Sequence, residues 1–410
     1  MFVSSSITGE SSGDLNRIRP APEERCPLTV LQIVPRMETG GVERGTLEIT
    51  EAIVREGGRA IVATAGGQLL PRITKAGGQV IAMNADTKNP LNLWQNARLL
   101  ARLIKDLQID IVHARSRAPA WSAYWAAERA GAHFVTTYHG AYSEDVPFKR
   151  RYNAVMAKGR PVIAVSDFIR KRIIDCHGTP ANQIVTIPRG ADVSVFSEEA
   201  VGNERAVKLA HQWGLLDDPR PVIMLPARLT RWKGGEDLID AADRLRAMRG
   251  NDFLVLLVGG DQGNGFDQAL RKRIDKLGIG DIVHLAGGCT DMAAAYKLAS
   301  VVVSASIEPE AFGRAVIEAQ SMGRPVIATD HGGARETVAH GTSGWLYPPG
   351  DIARLTIELN KALNLDPSER AHMGMAARAG IHARYTVAAM QRATLDVYEQ
   401  VAGRTFAKLV

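Results

Sequence analysis

The sequence predicts an α/β protein made of two doubly wound parallel-sheet domains that face each other across a cleft. Three observations lead there. Short apolar runs rich in Val, Ile and Leu alternate with longer amphipathic runs, as in parallel sheets buried on both faces. The series breaks once, in the polar stretch 194–219, and then starts again at similar length. The 410 residues suit two domains better than one.

In the first series, strands are expected at 28–34, 60–65, 80–83, 109–113, 134–138, 161–165 and 183–187. A helix runs from the Gly40-Gly41 turn through Arg55, and another over 93–108. The second series places strands at 221–225, 253–258, 282–285, 301–304, 325–328 and 344–347, with helices at 236–249 and 313–322. The stretch 367–401 reads as helical. The organisation is therefore a polar leader over 1–27, a first domain over 28–200, a second over 201–385, and a helix over 386–410 that returns to the first domain.

Composition narrows the class. Hydrophobic residues make up 45% and charged residues 23%, ordinary for a globular enzyme. The net charge of +6 suits a phosphate-bearing ligand or an anionic membrane surface. It falls short of a dedicated nucleic-acid binder. Cys26, Cys176 and Cys289 are scattered and form no Cys-x-x-Cys, so neither a zinc site nor a disulfide framework is expected, in keeping with a reducing cytoplasm. No apolar run approaches the roughly 18 residues of a membrane span.

In open parallel sheets ligands sit beyond the carboxyl ends of the strands, so residues just after strands matter most. Gly40-Gly41 heads a helix; it is either an anion-binding turn or a plain tight turn. No Gly-x-Gly-x-x-Gly occurs, which argues against a dinucleotide enzyme. His139-Gly140 ends a strand, where the imidazole either donates to a substrate oxygen or is structural. Arg228 and Lys233-Gly234 put two cations on one loop, suited to a leaving diphosphate or merely solvated. Glu310 and Glu318 stand eight residues apart. A fully helical segment would separate them by about 12 Å, too far for the paired carboxylates of a retaining glycosidase at about 5 Å. That spacing fits one elongated ligand gripped at both ends, with the backbone N–H groups of Phe312 and Gly313 between. It also fits an ordinary acidic helix start.

Taken in order, Gly40-Gly41-Val42-Glu43, His139-Gly140, Arg228 with Lys233-Gly234, Glu310 with Glu318, Gly332-Gly333 and Pro348-Pro349-Gly350-Asp351 resemble glycosyltransferase family four over about residues 28–400. The resemblance implies the GT-B fold, two Rossmann-like domains, and transfer with retention from a nucleotide-diphosphate sugar. It implies that Glu310 meets the donor sugar, Glu318 the ribose, and Arg228, Lys233 and Gly41 the diphosphate. His139 would position the sugar, while Phe312 and Gly313 offer backbone N–H groups. The donor's own phosphate would take the acceptor proton, with no metal and no cofactor beyond the nucleotide sugar. Arg189 departs from the usual Asn and is expected to add a cation towards the phosphates or the acceptor.

GDP-mannose is the expected donor, and a lipopolysaccharide-core or lipid-linked glycan the expected acceptor, at the inner face of the cytoplasmic membrane. Residues 146–160 carry Lys149, Arg150, Arg151, Lys158 and Arg160 with Phe148, Tyr152, Val155 and Met156 interleaved. The segment reads as a basic amphipathic helix resting on anionic lipid, or as a solvated face. A nucleotide-sugar epimerase, a phosphorylase and a non-catalytic sugar-nucleotide binder remain alternatives on the same architecture.

Overall fold

The computed structural model describes residues 27–142, 146–260, 263 and 265–406. Apart from Pro27, the leader expected over 1–27 lies outside the described residues. The first sheet comprises β1 (Thr29–Ile33), β2 (Arg59–Thr64), β3 (Gln79–Ala82), β4 (Ile111–Ala114), β5 (His133–Tyr138), β6 (Val162–Ala164) and β7 (Ile184–Thr186). The second comprises β8 (Val222–Pro226), β9 (Leu254–Val258), β10 (Val283–Gly287), β11 (Val301–Ser304), β12 (Val326–Thr329) and β13 (Gly344–Tyr347). All thirteen coincide with expected strands, their bounds shifted by at most two residues.

The spatial orders are β3-β2-β1-β4-β5-β6-β7 and β10-β9-β8-β11-β12-β13, and every pairing is parallel. Strand order reverses between β1 and β4 and between β8 and β11. These are the switch points where open sheets leave a crevice. Both faces of each sheet are covered, which is why β1, β4, β9 and β12 read as unbroken buried runs. Gln32 within β1 is fully buried yet satisfied: its Nε2 donates to the Thr46 carbonyl (3.1 Å) and to Thr50 Oγ1 (3.0 Å).

The chain crosses between the lobes twice. It leaves the first after β7 and returns after the helix Pro367–Arg384, breaking at Tyr385–Thr386 before the helix Val387–Ala402. That last helix packs on the helix Gly41–Arg55. Its Tyr398 hydroxyl meets His113 Nδ1 of β4 at 2.5 Å, and Gln391 Nε2 donates to the Glu48 carbonyl at 2.7 Å. The two crossings touch where Ala191 bridges Thr386.

The amphipathic helix expected over 146–160 is corrected. The structure has a two-turn helix, Pro147–Asn153, followed by the 3-10 turn Ala154–Ala157. Val155 and Met156 are fully buried in the first lobe's core, whereas Phe148 is 80% exposed beside the exposed Lys149, Arg150 and Arg151. Apolar spacing alone does not say which side of a segment holds the core. Among the described residues, no helix is long and apolar enough to cross a membrane.

Candidate active site

A cavity of about 650 Å³ opens between the lobes at the carboxyl ends of the strands. It is lined by Gly41, His139, Arg189, Arg228, Lys233, Glu310, Phe312 and Gly313 among others. Eight of the ten expected site residues thus converge; Gly40 and Glu318 do not line it.

Glu310 and Lys233 form the floor of the second lobe's wall. Lys233 Nζ donates to Glu310 Oε1 at 2.6 Å, Ser306 Oγ at 2.5 Å, and Ser304 Oγ approaches at 3.5 Å. The contact depends on Gly234, which adopts φ +70° and lies so close to the Ala305 carbonyl that a Cβ would collide with it. That packing lays the turn Arg231–Lys233 against the end of β11. Burial pushes the Glu310 carboxyl up, but the Lys233 charge and the bonds from Lys233, Ser306 and Ser304 together outweigh it and hold it below its usual value. Glu310's own carbonyl accepts from Gly333 N–H at 2.9 Å, which fixes the loop. Gly313, in the left-handed region at φ +89°, turns that loop into the helix Arg314–Ser321. The Phe312 ring is buried against Tyr385 (5.6 Å between centroids). Arg228 is exposed at the rim.

On the opposite wall the helix Gly41–Arg55 aims its N-terminus at the cavity, so its first N–H groups and dipole favour an anion there. His139 follows β5 directly. Arg189 Nη2 donates to its Nδ1 at 2.6 Å. Burial first, then the charges of Arg189 and Arg115, hold His139 well below its usual value, so it is neutral. Arg189 is itself buried, and burial with Arg115 and Arg314 pushes it well down.

Glu318 sits behind the cavity in an inter-lobe network that the sequence did not reveal. Arg44 Nη1 donates to Glu318 Oε1 at 3.0 Å and Tyr296 Oη to Oε2 at 3.3 Å. Arg314 reaches back across the cleft to Glu48 in a two-pronged pair of 2.6 and 3.2 Å. Burial raises Glu318, offset in part by Arg314 and Arg44. Further closure contacts run from Ser166 Oγ to the Ala311 carbonyl (2.6 Å) and from the N–H groups of Asp167 and Phe168 to the Glu336 carboxylate (3.0 and 2.8 Å). The sequence signal for the network was Glu48, a carboxylate on the same buried helix face as Gly45 and Ala52.

Two family models divide the chain: "Glycosyltransferase Family 4" matches residues 39–195 and "Glycosyl transferases group 1" matches 208–380. A solved glycosyltransferase from Rickettsia africae ESF-5 is 34% identical, with a TM-score of 0.84 over 92% of this chain and 98% of that one. The chain belongs to glycosyltransferase family 4. As such, this family 4 enzyme has the GT-B fold and is a retaining hexosyltransferase that draws on a nucleotide sugar. That sets aside the epimerase, phosphorylase and non-catalytic readings. Among relatives of the enzyme, a GDP-mannose-dependent alpha-(1-6)-phosphatidylinositol monomannoside mannosyltransferase of Mycolicibacterium smegmatis is 29% identical over 69% of this chain and 74% of its own length. A phosphatidyl-myo-inositol mannosyltransferase of Mycobacterium leprae is 28% identical over 88% and 94%.

Proposed function

We propose that the enzyme transfers a mannosyl group from GDP-mannose to a lipid-linked or lipopolysaccharide-core glycan. The observation that carries the donor side is the Glu310–Lys233 pair on the cavity floor, flanked by Arg228 and facing the N-terminus of Gly41–Arg55. On this reading Lys233, Arg228 and the Gly41 N–H stabilise the diphosphate as its charge grows on leaving. Glu310 accepts from the donor sugar's hydroxyls, and the Phe312 and Gly313 N–H groups complete the cradle. His139, neutral, orients the sugar. The leaving phosphate takes the acceptor proton, so no enzymic nucleophile and no metal is needed. Glu318 holds the ribose once its diol replaces Arg44 on the carboxylate. The mannosyl donor and lipid acceptor are supported by the names of the two mycobacterial relatives.

A peripheral membrane position is supported by exposed Phe148 beside Lys149, Arg150 and Arg151. Anionic-liposome binding that survives charge reversal at these three positions would count against it.

A thermal-shift series of GDP-mannose, GDP-glucose, UDP-glucose and UDP-galactose tests the donor, since a ligand of the native state raises its stability. GDP-mannose should give the largest shift and be consumed only when a lipid acceptor extract is added. A larger shift with a UDP sugar would reject the mannosyl donor.

A further inference from the structure

The buried cations of the two walls differ, exposed Arg228 at the rim aside. On the donor wall Lys233 is paired with Glu310, and Arg314 with Glu48. On the first lobe's wall Arg189 and Arg117 both line the cavity, and among the described residues neither has a carboxylate partner. Arg189 is only 6% exposed. Its described hydrogen bonds go to the neutral His139 ring and to Met390 Sδ (3.5 Å). Arg117 bonds the neutral Asn153 amide (3.1 Å) and stacks on the Tyr142 ring (4.0 Å). Behind them Arg115 is 1% exposed, and its Nε and Nη2 have no hydrogen-bond acceptor among the described residues. Its guanidinium and that of Arg189 converge on Gly45, where a Cβ would meet the first at 3.0 Å and the second at 3.4 Å.

The nearest strong counter-charge to both is Glu48, which is already paired with Arg314 and Arg44; buried cations short of counter-charge are costly, and two side by side more so. Guanidinium forks match phosphate oxygens in geometry and charge. We infer that the arginine pair on this wall is an anion subsite for the acceptor: the acceptor presents a phosphate ester to Arg189 and Arg117 while the donor diphosphate lies between the Gly41 N–H and the second lobe's Lys233 and Arg228. This rests on the donor reading above only for which anion belongs to which substrate. The phosphate belongs either to a lipid headgroup or to a soluble phosphorylated glycan; the recognition chemistry is the same.

The test is calorimetric titration with methyl phosphate, into protein alone and into protein saturated with GDP or UDP. Saturated wild type should bind methyl phosphate as a second ligand. Arg189→Met and Arg117→Gln should each weaken that binding about tenfold or more, as expected for a lost charge-assisted bond, while nucleotide affinity changes less than twofold. Arg189→Lys should recover part of it. Anion-free Arg189→Met should melt no lower than wild type, because it removes a buried charge for which burial, Arg115 and Arg314 outweigh the attraction of Glu48, which shows that the lost binding is not misfolding. Phosphatidylcholine vesicles containing phosphatidylglycerol separate the sources. Weaker vesicle binding by Arg189→Met assigns a lipid headgroup; unchanged vesicle binding with lost methyl phosphate assigns a soluble ester. The inference is overturned if methyl phosphate merely competes with the nucleotide, if saturated wild type does not bind it, or if Arg189→Met loses nucleotide and methyl phosphate together. If neither nucleotide binds, the donor reading fails by itself. The nucleotide-free titration then decides the subsite, and undiminished binding by Arg189→Met refutes it.

Discussion

Glu310→Gln tests the economy of the cavity floor. In the resting structure the Glu310 carboxylate holds Lys233 at 2.6 Å, so Lys233 must loosen from it to serve a diphosphate. At that separation the raw attraction in a medium of effective dielectric 20 is about 6 kcal/mol. The net value of such a charge-assisted bond, after desolvation, is about 1.5–3 kcal/mol. Neutralising Glu310 keeps the shape and releases that hold. Nucleoside diphosphate should then bind as tightly as before or up to about 100-fold tighter, the equivalent of the bond given up. Transfer should fall by about two orders of magnitude or more, because the carboxylate no longer meets the donor sugar. Calorimetry with GDP and UDP measures the first effect and single-turnover transfer the second. Weakening of nucleotide binding by more than fivefold would refute the reasoning, since it would mean the carboxylate supports the diphosphate site instead of competing for its lysine.

Three further outcomes follow from the geometry. His113 and His139 are both held well below the usual histidine range, first by burial and then by neighbouring arginines. Below about pH 6.5 the unfolded chain takes up protons that the folded one refuses, so stability falls as pH drops. In urea unfolding, wild type should lose about 1.4 kcal/mol per pH unit more than His139→Asn just below pH 6, and parallel pH profiles would contradict this. Arg314→Leu leaves Glu48 buried with Arg44 at 3.3 Å as its remaining ion pair among the described residues, and should cost about 3–5 kcal/mol. A double-mutant cycle with Glu48→Gln that shows no coupling would remove the inter-lobe pair as a stabilising contact. Gly234→Ala, forced into φ +70° and against the Ala305 carbonyl, should lower both melting temperature and transfer. Wild-type melting and activity would show that Lys233 is placed by something else.

Most of the fold was legible because buried parallel strands announce themselves as continuous Val, Ile and Leu runs, in two series that became the two sheets. The cleft residues were legible because strand ends in such sheets point to one place. What stayed hidden was pairing over distance. That Lys233 meets Glu310, 77 positions away, depends on the contact between Gly234 and Ala305, which no local pattern encodes. The capture of Glu318 by Arg44, 274 positions earlier, depends on how the lobes close. The segment 146–160 was misread for a related reason: Val155 and Met156 carry helical spacing, but only the neighbouring strands decide that they face inward.

The return of the helix Val387–Ala402 to the first sheet has a consequence for biosynthesis. Tyr398 seals His113 of β4, Gln391 holds the Glu48 carbonyl, and Arg404 pairs with Asp110 at 2.6 Å. The second lobe's thirteen-residue helix Ile352–Asn364 and all its strands are translated before these contacts exist. In order of synthesis, every strand of the second lobe thus precedes the residues that complete the first lobe's core, Met390, Leu395, Val397 and Tyr398. The half of the protein made first therefore depends for its cover on residues made after the whole second sheet.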